Sequence, residues 1–434
     1  MHHTANQIAE DLIRMLDQAP TAFHACNYLE RELGTVGFIE LSEETSWSLT
    51  PGGRYFVKRN DSSLIAFIMG QDPLVQTGFS IVGAHTDSPG YRLKWESAES
   101  RAGSLRIGVE QYGGPISATW LDRDLSVAGR VICQEGGKLV TRLVDFEKPV
   151  CIIPNLAVHL NREVNKGFEY NVQNHLAALF SASYPQEESV APASVMKKAV
   201  AGMLEIEPAS ILEMELFLYD ASAATLGGLS GELVFSARID NLAMCHAIFS
   251  ALVSVEQPRS TCVGAFFDNE EIGSRSLQGA NSSFFRDVLT RITQQQTQNS
   301  DGYYQVMAKS FLISTDGAHA VHPNFADKHD PAYAPRINMG PVIKVNANHS
   351  YATDGLSAAR FVQLCQLAGV PYQKFIIRGD LPCGSTIGPM SAALLGVRTV
   401  DVGSSMWAMH SIRETCGVFD HLYMTQVLQK FYSC

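Results

Sequence analysis

Asp268-Asn269-Glu270-Glu271-Ile272-Gly273-Ser274 sets two adjacent carboxylates directly behind an apolar run, residues 262–267. A run that short and that apolar reads as a buried strand. In an open α/β sheet, chemistry collects at the carboxyl ends of the strands. Two glutamates placed there can divide the work, one binding a cation and the other moving a proton. Taken alone, the pair is equally well read as a capped, charged helix start. The same arrangement recurs, however. Residues 81–84 run into His85-Thr86-Asp87-Ser88-Pro89-Gly90, and residues 311–314 into Thr315-Asp316-Gly317-Ala318-His319. Residues 399–402 lead through small residues to Met409-His410-Ser411. Asp240 precedes a helix-like segment at 242–255, where an N-cap is the plain alternative.

Two histidines, His85 and His410, and four acids, Asp240, Glu270, Glu271 and Asp316, fit a pair of divalent cations bridged by one carboxylate, roughly 3.5–4 Å apart. Imidazole and carboxylate without thiolate suit Zn, Mn or Co at a hydrolytic site better than a structural zinc. Asp87, two residues after His85, is placed to orient that imidazole. Any one of these residues is as readily a solvated loop acid or a satisfied core histidine. All of them together at strand ends are not.

These side chains need a scaffold. A chain of 434 residues, 46% hydrophobic and 18% charged, predicts a globular protein of two domains. A formal charge of −11 without a basic run argues against nucleic-acid binding. No apolar stretch has the length of a membrane span, and the start, Met1-His2-His3-Thr4-Ala5-Asn6, lacks a basic-then-apolar leader, so a cytoplasmic location is expected. Nine cysteines without a Cys-x-x-Cys pair read as buried free thiols.

Helical spacing of apolar residues predicts helix over 6–34, and strand-like runs follow at 64–69 and 79–83. From about 91 to 235 the texture is Gly-rich and alternating, as at 105–109 and 127–131, with a mobile loop expected over 181–193. After Asp240, strand, loop and helix alternate, with strands at 262–267, 311–314, 342–345, 375–377 and 398–402. The Gln-rich stretch 294–301 reads as a surface loop, and Gly227-Gly228-Leu229-Ser230-Gly231 as a turn, not a nucleotide loop. The fold class is therefore α/β: a mainly parallel sheet flanked by helices, with an inserted β-rich domain. Residues 1–90 plus 236–434 form the catalytic domain and 91–235 the insertion.

The blocks His85-Thr86-Asp87-Ser88-Pro89, Ile239-Asp240-Asn241, Asp268 to Ser274, Ser314-Thr315-Asp316-Gly317-Ala318-His319, Asp380-Leu381-Pro382-Cys383-Gly384-Ser385-Thr386-Ile387-Gly388-Pro389 and Met409-His410-Ser411-Ile412-Arg413-Glu414 resemble the signatures of the aspartyl aminopeptidases. These are dinuclear zinc metallopeptidases related to vacuolar aminopeptidase I, and the likeness covers essentially the whole chain. The resemblance implies that His85, Asp240 and Asp316 hold one metal, and that Asp240 bridges to a second completed by Glu271 and His410. It implies Glu270 as general base, Asp87 as the residue orienting His85, and His319, Lys344 and Tyr351 as substrate contacts. It further implies peptide substrates with an N-terminal Asp or Glu, and a tetrahedral dodecamer built from dimers through the inserted domain. In that assembly His175 of the partner subunit enters the site. The residues by themselves give His175 as an ordinary helix residue. Lys344 lies within an apolar run, where a lysine is costly unless it meets a charge, or else marks an exposed sheet edge.

Two other readings compete. A dinuclear carboxypeptidase or N-acyl-amino-acid deacylase uses similar strand-end ligands and is told apart by its need for a free α-carboxylate. A non-catalytic assembly protein has no physical need for a base such as Glu270 beside a metal.

Overall fold

The computed structural model describes residues 2–184, 192–297 and 301–434. They form two compact units, Met1–Asp87 with Ala224–Met409 and Glu414–Cys434, and Ser88–Ala223 with His410–Arg413. Residues 224–235 join the first unit, although their texture groups them with the insertion. The reason is that Thr225–Gly227 and Leu233–Ser236 belong to a five-stranded sheet with Glu414–Gly417, Ser405–Trp407 and Ala318–His319. The 227–231 stretch is a hairpin turn, as its glycines suggest, with Gly228 and Gly231 at positive φ.

The first unit is built on a nine-stranded sheet. Its order is Ile39–Glu40, Arg54–Arg59, Ser63–Ile68, Thr261–Phe267, Phe79–His85, Phe311–Thr315, Arg398–Gly403, Val342–Lys344, Gln373–Phe375. The four strands from Thr261–Phe267 to Arg398–Gly403 run parallel, so their carboxyl ends share one edge. Val342–Lys344 runs antiparallel to Arg398–Gly403 and delivers Lys344 from the opposite direction.

Both faces are covered, which is why these strands read as unbroken apolar runs. Val82, Ala84, Phe266 and Ile313 enter one core with residues of the helices His2–Gln18, Ile239–Val253 and Val418–Tyr432. Ile81, Val263, Phe267 and Leu312 alternate into the other core, with Phe284–Gln296 and Ile387–Leu395.

The helix expected over 6–34 is two helices, His2–Gln18 and Ala22–Thr35. Pro20 lacks the N–H that continuity needs, and the Thr21 hydroxyl caps the second helix by accepting from His24 N. The Gln-rich stretch is not all loop, because Gln294 to Gln296 finish the helix Phe284–Gln296. Residues 298–300 lie outside the described residues, as do 185–191 of the expected 181–193 loop.

The second unit is β-rich. One antiparallel sheet orders Lys138–Asp145, Leu125–Glu135, Ile211–Asp220, Gly90–Leu93 and Val109–Tyr112, and a smaller one orders Ala178–Ser181, Ser104–Ile107 and Glu99–Arg101. All nine cysteines are free thiols and seven are buried. Among the described residues no helix is long and apolar enough to cross a membrane.

Candidate metal centre

Three parallel strands and one helix start deliver the acids and His85 to one place. His85 ends Phe79–His85, and Asp316 follows Phe311–Thr315. Glu270 and Glu271 open a short 3-10 turn, Glu270–Ile272, behind Thr261–Phe267 and Asp268. Asp240 lies in the first turn of Ile239–Val253, where it departs from helical dihedrals. His85 Nε2 is 3.5 Å from Asp240 Oδ1 and 3.8 Å from Asp316 Oδ1. Separations of that size are the edges of a polyhedron whose ligands stand about 2.0–2.2 Å from a central ion. Donor atoms of His85, Glu270 and Glu271 also lie within 4.8 Å of one another.

The imidazole is fixed from behind. Its Nδ1 faces the Asp87 carbonyl oxygen at 3.0 Å, and a carbonyl can only accept. Nδ1 therefore carries the proton, and Nε2 turns its lone pair towards Asp240 and Asp316. The Asp87 carboxylate, 3.4 Å from Nδ1, also holds the neighbouring strand end, because its oxygens accept Glu270 N and Glu271 N at 3.1 Å each. Asp87 thus orients both glutamates as well as the histidine. Thr86 N donates to Phe267 O at 2.7 Å, which locks the two strand ends together.

Close backbone approaches shape the rest. A Cβ on Gly403 would lie 1.8 Å from the Asp316 carbonyl oxygen, so only glycine lets that strand pass beneath Asp316. Arg238, two residues before Asp240, and Asn269, immediately before Glu270, adopt left-handed backbone with φ of 59° and 66°. Non-glycine residues in that region are sparse and gather where function fixes the geometry.

The electrostatics show what the cluster lacks. Burial, with Asp316, Asp87 and Asp240 adding to it against His85, pushes the Glu270 carboxyl up to about 8. Burial and then Asp240 raise Glu271 well above the usual carboxylate range. Although burial disfavours its charged form, His85 is drawn well above its ordinary value by Asp240, Asp316 and Asp87. Asp316 goes the other way: burial opposes its charge, but Lys344 and His85 hold it below its ordinary value. Glu270 and Glu271 are pushed up because too little positive charge faces them. A divalent cation supplies that charge, and imidazole with carboxylate are donors that suit zinc, manganese or cobalt.

Residues 15–432 match the profile of the Aminopeptidase I zinc metalloprotease (M18) family. The chain belongs to that family. A "Probable M18 family aminopeptidase 2" of Ectopseudomonas mendocina (strain ymp) is 44% identical over 427 residues, 98% of each chain. Among solved structures, one of an Ape4 and Nbr1 complex superposes with a TM-score of 0.94 at 40% identity, covering 99% of this chain and 86% of that one. The S. cerevisiae mApe1 dodecamer gives 0.86 at 29% identity, covering 98% and 96%. The activity that goes with M18 membership is metal-dependent aminopeptidase chemistry.

The remaining residues singled out from the sequence fall in three places. Lys344 is 3% exposed and is no edge-strand lysine, since Val342–Lys344 lies between two other strands. The charge it meets is Asp316, with Nζ 3.5 Å from Oδ2. Tyr351 is buried beside it, its ring centroid 5.4 Å from Lys344 Nζ, while His319 is exposed and packs edge-on against Phe375 at 5.8 Å. Tyr351 and Phe375 share one small apolar cluster. His410 and His175 belong to the second unit. His410 takes a left-handed φ of 68°, its carbonyl accepts Ile116 N at 2.9 Å, and its Nδ1 donates to Gly114 O at 3.1 Å. His175 ends the short helix Val172–His175, exposed, with Nδ1 accepting Asn171 N at 3.0 Å.

Sequence reasoning missed Glu414. It is 2% exposed, and its Oε2 accepts Asp240 N at 3.0 Å, which fixes the backbone of the expected bridging acid. It closes the 409–414 block, but nothing local tells a buried acid that binds a distant N–H from a solvated one.

Proposed function

We propose that this M18 protein removes N-terminal Asp or Glu from peptides, using two divalent ions per subunit, zinc foremost, with Glu270 as general base. The observation that supports it most is the buried His85–Asp240–Asp316 triangle with the Lys344 ammonium at its margin. His85, Asp240 and Asp316 would hold the first ion. Asp240, Glu271 and His410 would hold the second. Ions bound there supply a water acidic enough to be a nucleophile near neutrality and a polarised substrate carbonyl.

The chain's own groups do the rest. Glu270 takes the proton from the attacking water and returns it to the leaving amine, with the bound ions supplying the positive charge that would leave its carboxylate ionised. The acidic cluster attracts the free α-amine of the peptide. When Asp316 shares its charge with a cation, Lys344 is left to meet the carboxylate of the first residue, flanked by Tyr351 and His319. Because Nδ1 of His175 accepts, its Nε2 carries a proton, which suits donation to the developing oxyanion. That donor would come in trans, from His175 of the partner subunit, within a homo-oligomer. The dodecamer formed by the similar mApe1 supports such an assembly, and a tetrahedral arrangement of dimers extends it.

The test is a matched set of dipeptides beginning with Asp, Glu, Leu or Lys, with N-acetyl-Asp peptides as controls. The expected outcome is zinc- or manganese-dependent cleavage confined to free Asp and Glu N-termini. Preference for Leu would remove the acidic selectivity while leaving the chemistry, and cleavage of acylated substrates would remove the aminopeptidase reading altogether.

A further inference from the structure

We propose that Asp401 is the positioning residue that sets acidic-residue selectivity, an inference that rests on the proposed use of Lys344 and Tyr351. Asp401 is fully buried in Arg398–Gly403, yet it is an acid where an aliphatic residue would complete the core. A buried carboxylate is costly unless several donors hold it. Here Oδ2 accepts Ala352 N at 2.6 Å, Oδ1 accepts the Thr386 hydroxyl at 2.7 Å, and Asp401 N donates to Thr353 Oγ1 at 2.9 Å. Room for the carboxylate is made by Gly388, whose Cβ would fall 2.3 Å from Oδ2.

Each of these partners belongs to a segment beside the proposed place of the substrate side chain. Ala352 and Thr353 follow Tyr351 directly. Thr386 caps Ile387–Leu395 and ends the loop carrying Cys383, which packs against the Tyr351 cluster. The antiparallel register pairs Ile343 with Val402, so its next step sets Lys344 beside Asp401. One buried carboxylate therefore ties the segment directly after Tyr351 to the end of the Cys383 loop, on the strand next to the one that carries Lys344. None of these hydrogen bonds reaches His85, Asp240, Glu270 or Glu271, but Lys344 also meets Asp316, and Val402, next after Asp401, accepts Asp316 N at 3.0 Å, so metal content is the readout that separates a role in selectivity from one in the metal centre.

The test compares kcat/KM on Asp- and Leu-initiated dipeptides for Asp401→Asn, with metal content measured alongside. Efficiency on the Asp substrate is expected to fall roughly 10–100-fold, the cost of a hydrogen bond to a charged group, mainly through KM. The Leu substrate should lose far less, and metal content should hold. Thr386→Val removes one donor at similar volume and should shift the same ratio less, which covers a failure of Asp401→Asn to fold. Thr386→Ser should restore it. Equal loss on both substrates, with a lowered Tm, would reduce Asp401 to a structural residue and overturn the inference. Lys344→Met separates the two levels. If it shifts the Asp-to-Leu ratio and Asp401→Asn does not, only the inference fails. If Lys344→Met leaves the ratio unchanged, the acidic-pocket reading and the inference fail together.

Discussion

Glu270→Gln is expected to keep both metal ions and lose roughly 10²–10⁴ in kcat, the range general acid–base catalysis contributes. The amide is isosteric, and Glu270 is positioned through its backbone N–H on Asp87 Oδ1, which the substitution leaves intact. What disappears is a group able to take a proton and give it back. KM should change little, because the loss falls on an interaction made in the transition state. Metal content and steady-state kinetics on the same preparation check this. If metal is lost while the metal-loaded fraction keeps its full kcat, Glu270 is a ligand and Glu271 becomes the candidate base.

Asp240→Asn should act through metal instead. A neutral amide cannot share two anionic oxygens between two cations, so affinity is expected to fall by more than the roughly 10–100-fold typical of outer-shell changes. Activity at limiting zinc should fall with it. The fold should survive, since the backbone N–H of Asp240 still donates to Glu414 Oε2. In the wild type, zinc at 100 times its Kd stabilises by about 2.7 kcal/mol. Thermal unfolding with and without zinc should therefore show a much smaller zinc-induced rise in the variant. A zinc-induced rise equal to the wild type's would remove Asp240 from the ligand set.

Much of this centre is legible in the sequence, for a physical reason. Parallel strands buried on both faces are written as apolar runs, and a His or carboxylate directly behind such a run stands at the sheet's carboxyl edge. His85, Glu270, Glu271 and Asp316 announce themselves in that way. What stays hidden depends on pairing between distant segments. Asp87 looks like a histidine partner two residues away, but its hold on Glu270 N and Glu271 N exists only because two strands lie side by side. Lys344 reads equally as a lysine that meets a charge or as an edge lysine, and only the sheet order, with a strand on each side of it, and Asp316 at 3.5 Å decide between them. Glu414 and Asp401 carry no local signal, since their partners are backbone and hydroxyl groups far along the chain. Pro20, by contrast, is visible, and it outweighs the apolar spacing that joins two helices into one.

The most direct test of the two-metal centre is anomalous scattering at the zinc edge from crystals grown with zinc. Two peaks per subunit are predicted, roughly 3.5–4 Å apart. One should lie among His85 Nε2, Asp240 and Asp316, the other against Glu271 and His410 with Asp240 between them. A single peak, or a second one that His410 does not touch, would contradict the account.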